Sequence, residues 1–121
     1  MTVKEIQDVL GARLFTGEEN LSLVVQSACS ADLMSDVMAF VKEDVVLLLT
    51  GLMNIQTIRT ACLLDIQVIV FVRGKSPSDE MVNLAREEGI TLLSTDYSLF
   101  LASGRLYTAG LQKGGTRVNG Q

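Results

Sequence analysis

Two stretches of the chain are apolar without interruption. Residues 45–51 read Val-Val-Leu-Leu-Leu-Thr-Gly, and residues 67–74 read Gln-Val-Ile-Val-Phe-Val-Arg-Gly. Short continuous apolar runs closed by polar turn residues are the pattern of strands buried on both faces. Elsewhere the spacing becomes helical. Thr2 opens a T-V-K-E capping box with Glu5, and Val3, Ile6, Val9 and Leu10 then share a face up to Gly11. From Asp32 onward Leu33, Met34, Val37, Met38 and Val41 recur at offsets of three and four, with Asp32 or Ser30 as the cap.

The same plan repeats downstream. Asn54 is expected to cap a helix that turns Ile55, Ile58, Ala61, Cys62 and Leu64 inward. Ser76 followed by Pro77 and Asp79 predicts a second helix start, running through Met81, Leu84 and Ala85 to Gly89. Residues 90–96 predict a last strand, and Asp96 a cap for a final helix with Leu99, Phe100, Ala102 and Leu106 as its apolar positions. Residues 12–17 and 21–28 are the remaining strand candidates, separated by a Gly-Glu-Glu-Asn turn. Alternating strands and helices predict a single α/β domain over residues 1–112, with a central, mostly parallel sheet flanked by helices. Residues 113–121 read as a polar disordered tail.

Composition narrows the chemistry. The chain has 121 residues, 48% of them hydrophobic, a net charge of −4 and no histidine. The acidic balance gives no electrostatic footprint for nucleic acid or an anionic membrane. No apolar run approaches the roughly 20 residues of a spanning helix. The N-terminus lacks the apolar region of a signal peptide, so a cytoplasmic location is expected. Without histidine there is no Ser–His or Cys–His couple and no His-ligated metal. Cys29 and Cys62 form no CxxC motif and read as two free thiols. Asp32 and Asp36 share a helix face, but capping residues explain them and no third ligand follows, so no metal and no cofactor are expected.

Ligands of open α/β sheets bind beyond the carboxyl ends of the strands. Three such ends are polar here: Thr50-Gly51 before Asn54, Arg73-Gly74-Lys75-Ser76, and Ser94-Thr95-Asp96. Helix N-termini beside Arg73 and Lys75 offer N–H groups to a phosphate or carboxylate; ordinary turn chemistry offers the same residue types. Gly74-Lys75-Ser76 is not a P-loop, because Ile69 stands where that motif needs glycine and Pro77 removes a donor.

From Gly51 to Leu106 the chain resembles the DRTGG domain family. The resemblance lies in N-I-Q-T-I-R-T-A at 54–61, R-G-K-S-P-S-D-E at 73–80, E-E-G-I at 87–90, L-L-S-T-D at 92–96 and L-A-S-G-R-L-Y at 101–107. The first half is similar to standalone members encoded beside iron-hydrogenase and other redox genes. The resemblance implies an α/β fold like the N-terminal domain of HPr kinase/phosphorylase, self-association, and a regulatory role without kinase activity. At the eponymous positions the chain departs from the pattern: Gly51 and Leu52 replace Asp and Arg, and Val72-Arg73-Gly74 keeps one glycine of Thr-Gly-Gly. The expected function is a non-catalytic regulatory or scaffold domain, a homodimer that binds a small ligand or a protein partner in a redox or hydrogenase system. The alternative is an adenine-nucleotide-binding sensor. An enzyme would have to work with Asp, Lys, Arg or Cys alone and is not expected.

Overall fold

The computed structural model describes residues 1–39 and 45–114. Its elements run α1 (Val3–Leu10), β1 (Arg13–Thr16), a 3-10 turn (Glu18–Asn20), β2 (Ser27–Ser30), α2 (Met34–Ala39), β3 (Val46–Thr50), α3 (Ile55–Leu63), β4 (Val68–Phe71), α4 (Asp79–Glu88), β5 (Thr91–Ser94) and α5 (Leu99–Ala109). The five strands are ordered β1-β5-β4-β3-β2, all parallel except β1, which runs antiparallel along β5. This is the α/β fold that the alternation predicts.

Between β2 and β5 each new strand is laid beside the last, always in the same direction. Crossovers of one hand then put their helices on one face of the sheet. There Val37, Ile58, Ala61, Met81 and Ala85 meet Val46, Leu48, Ile69, Phe71 and Leu92. Helices α1 and α5 close the opposite face, where Val3, Ile6, Leu10, Ala102 and Leu106 meet Leu47, Leu49, Val68, Val70 and Leu93. Every residue of β3 and β4 is buried, which is why both read as unbroken apolar runs. At the antiparallel edge the register shifts between Leu14 and Thr16. The buried Thr16 hydroxyl donates to the Ile90 carbonyl at 2.7 Å and accepts the Leu92 N–H at 2.9 Å, so the bulge leaves these groups paired.

The capping box at Thr2 and Glu5 and the Asn54 cap form as expected. Four expectations need correction. The second strand is Ser27–Ser30 and not residues 21–28. Leu21, Leu23 and Val25 do alternate, but their backbone serves α1: Val3 N–H donates to Leu23 O, Lys4 N–H to Leu21 O, and Val25 N–H to Met1 O. Helix α4 is capped by Ser78, whose hydroxyl accepts the Met81 N–H at 3.2 Å, because Ser76 accepts instead from Arg13 Nη2 at 3.3 Å. Helix α5 is capped by Ser98 and not Asp96, since the carbonyl of Tyr97 between them accepts the Arg73 N–H in the turn after β4. On α5 the buried residues are Ala102 and Leu106, while Phe100 is 84% exposed.

Of the stripe expected after Asp32, Val37 is buried, Met34 is partly buried and Leu33 is exposed. The Met38 side chain and Val41 lie outside the described residues. So do residues 115–121 of the expected tail, while the Lys113 carbonyl accepts the Ala28 N–H of β2 at 3.0 Å. Among the described residues no helix is long and apolar enough to cross a membrane.

Candidate functional site

After β4 the chain leaves for α4 on one face of the sheet, and after β5 it leaves for α5 on the other. Such a divergence opens a crevice at the carboxyl ends of adjacent strands, where ligands of this fold class bind. Here the crevice is stitched shut. Arg73 N–H donates to Tyr97 O and Gly74 N–H to Thr95 O, each at 2.8 Å, and the Ser94 hydroxyl donates to the Lys75 carbonyl. Both Arg73 and Gly74 are left-handed, at φ +63° and +70°. Glycine suits that conformation, whereas an L-residue there is strained.

That reversal throws the Arg73 side chain sideways, across the end of β3. A Cβ on Gly51 would lie inside contact distance of Arg73 Nη2, so the guanidinium lies directly over this glycine. From the other side comes Asp32, in the connection between β2 and α2. Its Oδ1 accepts the Gly51 N–H at 2.7 Å and the Thr50 hydroxyl at 3.3 Å, and its Oδ2 is 3.8 Å from Arg73 Nη2. Lys75 Nζ donates to the Gly51 carbonyl at 2.9 Å. The Arg73 and Asp32 side chains are about half exposed, at 46% and 47%, and such pairs are held weakly. The result is a polar cluster of one carboxylate, two cations, a hydroxyl and a main-chain donor at the ends of three neighbouring strands.

Thr50, Gly51, Arg73 and Lys75 thus come together as the sequence reading groups them. The other candidates are used structurally or stand apart. Asn54 Oδ1 accepts the Thr57 N–H at 3.1 Å as the α3 cap, and Ser78 does the same for α4, so neither helix start has all its first-turn donors free. The Thr95 hydroxyl donates to the Leu10 carbonyl at 2.7 Å, fastening α1 to the end of β5. Ser94 is buried on the Lys75 carbonyl, Ser76 faces Arg13, and exposed Asp96 flanks Gly74. Asp32 is the residue that sequence reasoning missed as a site residue. A second strand at 21–28 makes it a helix cap; a strand ending at Ser30 makes it a strand-end residue like the others.

The thiols lie elsewhere. Cys29 is buried and Cys62 partly buried, both free. Burial pushes each thiol up from its ordinary pKa, with Asp36 adding to the effect at Cys29 and Glu88 at Cys62. A thiol so protonated is a poor nucleophile. Among the described residues no group of three or more His, Cys, Asp or Glu is placed to hold a metal ion.

The DRTGG domain model matches residues 5–109. The chain belongs to the DRTGG domain family. Among solved structures it is similar to the CBS and DRTGG domains of the regulatory region of Clostridium perfringens pyrophosphatase, complexed with its activator diadenosine tetraphosphate. That similarity has a TM-score of 0.71 at 20% identity and covers 98% of this chain but 51% of the other, so the chain spans about half of that structure's length. No curated protein matches. In this DRTGG domain Gly51 stands between an acid and an arginine. Asp32 and Arg73 bring a carboxylate and a guanidinium to Gly51 from the two flanking strand ends.

Gly51→Ala tests the close approach. The added methyl meets only the ends of flexible side chains, so the fold should survive with a change in unfolding free energy under about 1 kcal/mol, the range of an exposed ion pair. The Arg73 side-chain Nε–H resonance should move as the guanidinium is driven off. A loss of several kcal/mol in denaturant melts, with Arg73 unmoved, would contradict this packing.

Proposed function

We propose that this DRTGG domain is a non-catalytic regulatory module that binds an anionic small molecule at the strand-end cluster. The candidate class is an adenine nucleotide bearing a polyphosphate. The observation that carries the reading is Arg73: a strained residue whose guanidinium is half exposed, loosely paired, and laid over a glycine beside a main-chain donor. Strain kept at an exposed loop residue is a reason to look for a role there. Lys75 adds a second cation to the same spot. The pyrophosphatase regulatory region, about half of which has this fold, is complexed with the activator diadenosine tetraphosphate. That supports the ligand class without assigning residues. The lack of histidine and the protonated thiols support a role without bond chemistry. Ligand binding would then act by shifting conformational populations.

A thermal-shift panel of ATP, ADP, GTP and diadenosine tetraphosphate, with and without magnesium, reads this directly. A ligand at about a hundredfold excess over its Kd should add about 2.7 kcal/mol of stability. Stabilisation by an adenine compound that disappears in Arg73→Ala is the expected result. A flat panel at millimolar ligand would exclude the nucleotide reading and leave a protein-docking module.

Self-association is the second element, and α5 favours it. Phe100, Leu101 and Tyr107 are 84%, 50% and 59% exposed on this helix. Phe100 and Leu101 border a groove over Gly104 that carries Asp8, paired with Lys4 at 3.2 Å, and Arg105, stacked over the Tyr97 ring; a two-fold axis would bring these opposite charges face to face in a second copy. Sedimentation velocity should give a dimer that Phe100→Glu reduces to a monomer; a wild-type monomer at high micromolar concentration would remove the proposal. A partner in a redox or hydrogenase system rests on the family resemblance alone. It is tested by co-purification of the tagged chain with hydrogenase subunits, and their absence from the eluate would count against it.

A further inference from the structure

We propose that Asp32 is an internal occupant of the anion site, a carboxylate that an incoming polyphosphate must expel. The inference rests on the ligand reading above and specifies how that site is regulated. The donors at the end of β3 are the kind a phosphate oxygen takes: the Gly51 main-chain N–H, the Thr50 hydroxyl and the Arg73 guanidinium. All three already face one anion, and it belongs to the protein. The Gly51 N–H to Asp32 bond, at 2.7 Å, is the tight member of the set, and the 3.8 Å separation from Arg73 is the loose one. An entering phosphate would engage Arg73 first and then compete for Gly51.

Asp32 is well placed to yield. Its side chain is 47% exposed, so it can turn into water without leaving a buried charge. It sits two residues after β2 ends at Ser30 and two before α2 begins at Met34. Releasing it therefore frees the entry to α2 from the end of β3, while Ala31 N–H remains on Leu49 O at 3.1 Å. Site occupancy would be reported through the β2–α2 connection, next to exposed Leu33. Three charges govern the exchange: Arg73 and Lys75 favour either anion, and Asp32 repels the external one for as long as it stays.

The test is calorimetric titration with sodium tripolyphosphate and with ATP, at fixed ionic strength, on the full chain and three variants. Asp32→Asn keeps an acceptor for Gly51 but loses the charge, and Asp32→Ala loses both. Asp36→Asn removes the same charge four residues further along, inside α2. Both Asp32 variants should tighten the Kd for either probe by about tenfold or more, and Asp36→Asn by less than about threefold. Equal response to the two probes would make the phosphates the recognised group; a gain confined to ATP would place recognition on the nucleoside and overturn the exchange. Wild-type binding that Asp32→Asn and Asp32→Ala leave unchanged or weaken overturns the exchange alone, with the ligand reading intact. So does an equal gain in Asp36→Asn, which would make the effect one of general charge. If neither wild type nor the Asp32 variants bind either probe, the inference and the ligand reading fall together.

Discussion

The two central strands, β3 and β4, are buried along their whole length and on both faces. That constraint decides where any chemistry can be. A sheet interior sealed by helices on each side admits no polar group that the ladder does not already pair. Polar side chains are therefore pushed to the ends of the strands, and the carboxyl ends collect the ones with reach. Sequential strand order adds a second restriction, because it sends α2, α3 and α4 to the same face and leaves a divergence only between β4 and β5.

A doubly wound sheet would use that divergence as its binding crevice. This protein fills it with hydrogen bonds from Arg73, Gly74 and Ser94, and the left-handed turn that makes those bonds redirects the Arg73 side chain toward β3. Gly51 is the receiving surface. Any larger residue at 51 would occupy the space that the guanidinium takes. The strain at Arg73, the small residue at 51 and the carboxylate of Asp32 are thus consequences of one another's positions, contributed by three separate strand ends. In a half-exposed cluster, the Asp32–Arg73 pair holds this arrangement by only a modest free energy.

Much of this is legible in the sequence. The apolar runs at 46–50 and 68–71, the capping box at Thr2 and Glu5, and the Asn54 cap carry local signals strong enough to stand alone. Thr50, Gly51, Arg73 and Lys75 group together because turn residues after buried strands fall at strand ends. The sequence misleads where a local pattern has two uses. Leu21, Leu23 and Val25 alternate like a strand yet bond to the start of α1, which is a long-range choice no window of sequence contains. Ser76 and Asp96 are good caps that lost to Ser78 and Ser98, because the strand-end network had claimed the residues around them. Phe100 fits a helical stripe but faces outward, since α5 meets the sheet through Ala102 and Leu106. Asp32 is hidden for a compound reason: its role depends on where β2 ends, and the alternation at 21–25 misplaces that end.

The most direct measurement is a two-dimensional amide NMR titration of the isotope-labelled chain with ATP. Binding at the strand ends requires saturable shifts of the Gly51, Leu52, Gly74 and Lys75 amides, while Gly104 and Ala109 on α5 stay in place. Shifts confined to the α1 and α5 face, or an unchanged spectrum at millimolar ATP, would contradict a ligand site built on Gly51, Asp32 and Arg73.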